Sequence, residues 1–318
     1  MPNKDIAIVI PSLNEGDEIR RTVSSLLSSA ERRDAVEVVV VDDASDKPVG
    51  EIKDALVIRN PCRYGPATSR DIGICHTTAP FILTVDAHVG FPEAGWLDFL
   101  LDELESHPDS VFCFSCIDLK NGKKMYGGTL DALKVAENIK AFKILEPRWN
   151  STVDRSVTSS EVLCPMGGAY AFRKDWHRKI RSYRGIKGWC TSELVSLGLK
   201  SWLAGGDCRI IPSLEFKHLF RSKAPWGEER QAIRLRNKMW LSSGLVYPSP
   251  YSGLMSMCLG WDKEAIELVA GDLNEIVRER EYNQAIAKRS FEEVCGRFGV
   301  ELPTIQKADR NGMEGTRG

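Results

Sequence analysis

Pro80-Phe81-Ile82-Leu83-Thr84-Val85-Asp86-Ala87-His88 is an apolar, β-branched run that stops abruptly on a carboxylate and an imidazole. Such a run reads as a buried strand, and its last residues fall at the exposed carboxyl edge of a sheet. Asp86 and His88 are two residues apart. In an extended segment they point to the same side and can grip one divalent ion together. A carboxylate with an imidazole suits Mn²⁺ or a similar borderline ion better than Ca²⁺, which prefers oxygen donors only.

Outward from this stretch, strand and helix signals alternate. Ile6 to Ile10 reads as a strand and Asp17 to Ala30 as a helix with apolar positions Ile19, Val23, Leu26 and Leu27. Val36 to Val41 is a strand ending on Asp42-Asp43, Leu56 to Ile58 a short one, and Ala67 to His76 a helix. Strands this apolar, separated by helices, predict an α/β fold with a mostly parallel sheet covered on both faces. Asn14-Glu15, Asp42-Asp43 and Asp86-Ala87-His88 then share the edge where ligands collect in such sheets. Further on, Trp96 to Ser106 reads as a helix, Val111 to Leu119 as a strand and Leu130 to Leu145 as an amphipathic stretch. A strand follows Gly167-Gly168, a helix runs from Glu193 to Ala204, and Cys208 to Ile211 is a strand. From Glu264 the pattern is helical, and 307–318 reads as a disordered tail.

The 318 residues are 42% hydrophobic and 27% charged, the composition of an ordinary globular protein. No apolar run approaches the roughly 20 residues of a membrane span, and the first residues lack a signal-peptide pattern. Nine cysteines without a paired framework predict reduced thiols and a cytoplasmic setting. Cys113-Phe114-Ser115-Cys116 lies inside a strand and reads as buried thiols, not a zinc or redox pair. The net charge of −1 hides a division: 173–238 carries a surplus of ten positive charges, and the rest carries −11. That segregation points to an acidic macromolecular partner.

The succession Ile10-Pro11-Ser12-Leu13-Asn14-Glu15, Val40-Val41-Asp42-Asp43-Ala44-Ser45 and Val85-Asp86-Ala87-His88 resembles the nucleotide-sugar half of GT-A, family 2-like glycosyltransferases. Most narrowly, it is similar to the catalytic domain of polypeptide N-acetylgalactosaminyltransferases, which carry a D-x-H. The similarity continues through Gly167-Gly168, Trp189, the helix at Glu193 ending in Gly205-Gly206, and His218-Leu219-Phe220-Arg221. The resemblance implies a Rossmann-like, mixed but mostly parallel sheet over 1–245. Residues 1–120 would form the nucleotide-sugar half and 121–245 the acceptor half, followed by a helical extension over 246–306.

It also implies a UDP-sugar donor and a Mn²⁺ (or Mg²⁺) ion held by Asp86, His88 and His218. Pro11, Asn14 and Glu15 would line the nucleotide pocket, Asp42 or Asp43 would read the uracil, and Arg70, Gly168 and Lys223 would approach the donor. Glu193 would serve the sugar pocket, while Arg221 and Trp226 would belong to a closing loop. Leu194 stands where inverting relatives carry a basic Asp, so the resemblance implies retention of configuration. Ser192 replaces a Gly of the family's Gly-Glu pair, and the sugar need not be the family's own. Two acceptors follow as expectations. The basic segment suggests DNA, such as a hydroxymethylated base with Trp226 stacking a displaced base. The resemblance suggests Ser or Thr hydroxyls of an intracellular protein. A non-catalytic nucleotide-sugar or nucleic-acid-binding module is the third reading. No membrane and no obligate protein partner are expected.

Overall fold

The computed structural model describes residues 4–91, 95–135, 142–188, 192–221 and 231–304. Its first elements follow the expected alternation: β1 (Ile6–Ser12), α1 (Glu18–Ser29), β2 (Val36–Asp42), β3 (Leu56–Arg59), α2 (Pro66–Cys75) and β4 (Phe81–Val85). Then come β5 (Val89–Gly90), α3 (Trp96–Ser106), β6 (Ser110–Asp118), β7 (Lys124–Tyr126), β8 (Gly128–Val135), β9 (Phe142–Trp149) and β10 (Ser160–Glu161). The second half holds β11 (Ala169–Arg173), α4 (Lys174–Ile180), α5 (Ser192–Leu203), β12 (Asp207–His218) and α6 (Gln231–Leu241). Four helices close the described chain: α7 (Pro250–Leu259), α8 (Lys263–Gly271), α9 (Leu273–Ile286) and α10 (Phe291–Arg297).

One ten-stranded sheet runs in the order β10-β12-β6-β11-β4-β1-β2-β3, with β5 pairing β12 and β7 pairing β6. β1 is parallel to both β2 and β4, and β6 is parallel to β12, whereas β11 lies antiparallel between β4 and β6. The alternation of side chains along β1 explains the two cores. Ile6, Ile8 and Ile10 face one layer, with Leu26 of α1 and Leu97 of α3. Ala7 and Val9 face the other, with Ile74 of α2, Ile180 of α4 and Leu194 of α5. Every residue of β1 and β4 is buried, which is why both read as unbroken apolar runs. Cys113 and Cys116 sit three residues apart on β6 and so divide between the two cores; both are buried and free.

Two local readings differ from the sequence expectation. The stretch from Leu130 to Leu145 falls largely within an antiparallel hairpin of β8 and β9, not one continuous amphipathic element. The strand expected to stop at Ile211 continues as β12 to His218, with a register irregularity between Ile211 and Glu215 that admits Pro212. A cavity of about 300 Å³ lies between α5 and the C-terminal helices, lined by residues such as Leu203, Tyr247 and Phe291. It is remote in lining from the strand edge that carries the polar cluster.

Candidate active site

The carboxyl ends of β1, β2 and β4 converge where the strand order switches direction, β1 having been left for β2 on one side and β4 on the other. Past β4 the chain turns, and β5 pairs with the last residues of β12, setting His218 opposite Val89. That pairing brings the imidazoles of His88 and His218 to 4.8 Å between ring centroids. Nε2 of His218 lies 3.3 Å from Oδ2 of Asp86. One ligand atom from each of Asp86, His88 and His218 falls within 4.8 Å of the others. Gly168 makes this approach feasible. Its φ is +115°, and a Cβ there would sit 2.2 Å from the Phe216 ring and 3.2 Å from the His218 imidazole.

Two of these donors, Asp86 and His88, are held from behind, whereas Nδ1 of His218 is buried without a hydrogen-bond partner among the described residues. Arg70, only 3% exposed, sends Nη2 to Oδ1 of Asp86 at 2.9 Å and Nη1 to Oε1 of Glu193 at 3.2 Å. Its guanidinium also lies 5.5 Å from the centre of the Tyr170 ring. Burial opposes ionisation of Asp86, but the His218 hydrogen bond and the Arg70 charge outweigh it and hold the carboxyl well below its ordinary range. Glu193 goes the other way: burial, only partly offset by Arg70, pushes it up to about 7. Its Oε2 is buried without a hydrogen-bond partner among the described residues.

Glu15 has a role that sequence reading did not assign. Its Oε2 lies 3.2 Å from Nδ1 of His88 and also accepts a bond from Arg221. A carboxylate on one ring nitrogen fixes the imidazole and leaves Nε2 for a ligand. Glu15 thus ties β1 to β4 and to the end of β12. The sequence signalled it by its place after a strand and, through the family resemblance, as lining of the nucleotide pocket, not as the partner of His88.

The other expected residues fall around this centre with more structural duties. Pro11 lies within buried β1. Asn14, at φ +56°, donates from Nδ2 to Oδ2 of Asp46 and accepts the Asp46 N–H at Oδ1, while its own backbone N–H donates to Oγ of Ser45. Asp42 accepts from the backbone of Ser45 and from Arg59, which together with its other hydrogen bonds lowers its pKa despite burial. Asp43 takes bonds from the Asn60 amide and from the backbone N–H groups of Tyr64 and Gly65. Both carboxylates are at most 1% exposed and organise the loops that follow β2 and β3. Lys223 and Trp226, like Trp189, lie outside the described residues.

The basic segment reads differently in three dimensions. Ten of its cations are within ion-pair distance of a carboxylate. For eight of them the acid comes from outside the segment: Glu15, Glu146, Asp272, Glu275 or Glu279. Those five carboxylates offset about half of the surplus within the chain, which weakens the case for a polyanionic partner.

Comparison with known proteins agrees with this architecture. The mouse "Polypeptide N-acetylgalactosaminyltransferase 15" is 27% identical over 250 residues, covering 70% of this chain and 37% of its own. The "Polypeptide N-acetylgalactosaminyltransferase 11" of Xenopus tropicalis is 24% identical over 245 residues, with 70% and 39% covered. The chain thus spans well under half the length of these curated relatives. Among solved structures, GalNAc-T7 crystallised with UDP, GalNAc and Mn²⁺ superposes with a TM-score of 0.68 at 17% identity, over 94% of this chain and 57% of that one. Residues 1–349 of S. aureus TarS, in complex with UDP-GlcNAc, give 0.57 at 13% identity, over 89% and 84%. The fold is GT-A, as expected. Among the described residues no helix is long and apolar enough to cross a membrane. The model of the family described as "Glycosyl transferase family 2" matches residues 7–181, more than half of the sequence, and the chain belongs to that family.

Proposed function

We propose that this protein is a metal-dependent, retaining glycosyltransferase that takes its sugar from a UDP-sugar and delivers it to a serine or threonine hydroxyl of a protein. The observation that carries the reading is the convergence of Asp86, His88 and His218, with Arg70 and Glu15 holding two of them in place. One ionised carboxylate with two imidazoles is a donor set that fits Mn²⁺, and Mg²⁺ less well. When bound, the ion would act as a Lewis acid on the diphosphate, whose oxygens gain negative charge as the sugar–phosphate bond breaks.

The chain's own residues account for the remaining requirements. Arg70 fixes the orientation of Asp86 and keeps it ionised. Glu15 sets the tautomer of His88 and anchors Arg221, a cation near the departing phosphate. Glu193, buried with one oxygen unpartnered among the described residues and its carboxyl raised by burial, faces the site as a hydrogen-bonding group for a sugar hydroxyl. Leu194 leaves the position after Glu193 without a base. This supports a same-face substitution in which the leaving phosphate takes the acceptor's proton. Residues 1–245 would form the catalytic unit, with the nucleotide in 1–120 and the acceptor in 121–245.

Likeness to polypeptide transferases supports a protein acceptor, and pairing of part of the basic segment within the chain weakens the argument for DNA. Incubation with a panel of UDP-sugars, serine- and threonine-containing peptides and hydroxymethylated DNA, read by mass spectrometry, tests this directly. A hexose or N-acetylhexosamine mass added to peptide and dependent on Mn²⁺ is expected. Modification of DNA alone, or transfer that survives exhaustive chelation, would overturn the reading.

A further inference from the structure

We infer that Asp272, in the C-terminal extension, is a positioning residue for the sugar-pocket side of the active site and acts through Lys187 and Arg236. Asp272 stands at the single-residue junction of α8 and α9, where the N-terminus of α9 favours a carboxylate. Its oxygens lie 2.9 and 3.1 Å from Nζ of Lys187 and 2.9 Å from Nε of Arg236. Arg236, 1% exposed, passes the constraint on by donating from Nη1 to the carbonyl of Gly185. Its neighbour Asn237 brackets Lys187: the Lys187 N–H donates to Oδ1 at 3.2 Å, and Nδ2 donates to the Lys187 carbonyl at 2.7 Å.

The strapped segment Gly185–Gly188 is also closely packed at both ends. A Cβ on Gly185 would lie 1.9 Å from the Trp240 ring, and one on Gly188 would lie 2.9 Å from Ile233. On its other side Gly188 meets the nucleotide half, since a Cβ on Gly65 would be 2.3 Å from the Gly188 carbonyl. The N–H of Gly65 is itself bound to Asp43 at 2.9 Å. Four residues beyond Gly188 comes Ser192, followed by Glu193, which shares Arg70 with Asp86. One carboxylate of the extension therefore fixes a segment that touches the nucleotide half at Gly65 and leads into Glu193. The extension is part of the working site.

Lys187→Met in the full chain tests this, because Arg236 stays paired with Asp272 and no buried charge is stranded. The kinetic consequence rests on the donor reading proposed above, so a ligand-free measurement accompanies it. Hydrogen exchange at the Lys187 and Gly188 amides should quicken about tenfold without a matching rise in the β1 or β4 amides. The KM for the UDP-sugar should rise about tenfold with kcat within twofold, and Lys187→Arg should restore both readouts to within threefold. Unchanged exchange at 187–188, exchange that quickens equally in β1, or a fall in kcat at constant KM would overturn the inference. If the wild-type protein turns over no UDP-sugar, the functional reading fails and the exchange result alone decides the clamp.

Discussion

Replacing Arg70 by Met removes the one guanidinium shared by Asp86 and Glu193 while keeping most of the side-chain volume. Breaking a buried ion pair by deleting one partner costs about 3–5 kcal/mol, because the remaining charge is stranded. Here the cost should depend on pH, and the sign follows from Glu193. Its carboxyl ionises at about 7 in the folded protein against 4.5 ordinarily, because burial outweighs Arg70. Between those values the folded chain keeps a proton that the unfolded chain releases, so stability falls as pH rises, by about 3 kcal/mol in all. Without Arg70 the folded value climbs further, and the decline continues above pH 7 at about 1.4 kcal/mol per unit. Asp86 titrates far below this window and adds no slope. Urea unfolding of wild type and Arg70→Met at pH 6 and pH 8 measures the effect. The penalty should be larger at pH 8 by about 1 kcal/mol. An equal penalty at both pH values, or a larger one at pH 6, would refute the coupling of Glu193 to Arg70.

Other consequences can be checked alongside. Glu15→Gln removes the carboxylate behind His88 and should weaken Mn²⁺ binding about 10- to 100-fold, read by calorimetric titration, with little change in melting temperature. Gly168→Ala drives a methyl into the Phe216 ring at a backbone conformation that L residues avoid; denaturant titration should show a loss of about 2 kcal/mol or more. Lys200→Met leaves the buried Glu279 only the partly exposed Arg181, 3.4 Å away, so unfolding should cost about 2 kcal/mol less than in wild type, by the same titration.

Much of the fold was legible because its central strands are buried on both faces and announce themselves as apolar runs. The three potential metal ligands were legible for a related reason. Two end such a run, and the third was found through family resemblance over 130 residues away. β12 was harder to read in full, since Pro212 interrupts its ladder and its last residues alternate polar and apolar. The β8–β9 hairpin was missed because its alternating apolar positions can also be read as an amphipathic stretch. Charge was the least readable quantity. Lys187 and Asp272 are 85 residues apart in sequence, and composition alone cannot show that the acid of one segment neutralises the base of another. The same holds for Glu15, whose bond to Arg221 spans 206 residues. Long-range pairing, invisible to local pattern, offsets part of that charge within the chain.

In the proposed mechanism Asp86, His88 and His218 together bind the divalent ion that a UDP-sugar requires. Electron paramagnetic resonance of Mn²⁺ titrated into the protein with UDP present tests it most directly, on wild type, Asp86→Ala and His218→Ala. Wild type should bind one ion per chain, and each variant should bind at least about 100-fold more weakly, a difference of about 2.7 kcal/mol. Wild-type affinity in either variant, or no bound ion in the wild type, would contradict the account.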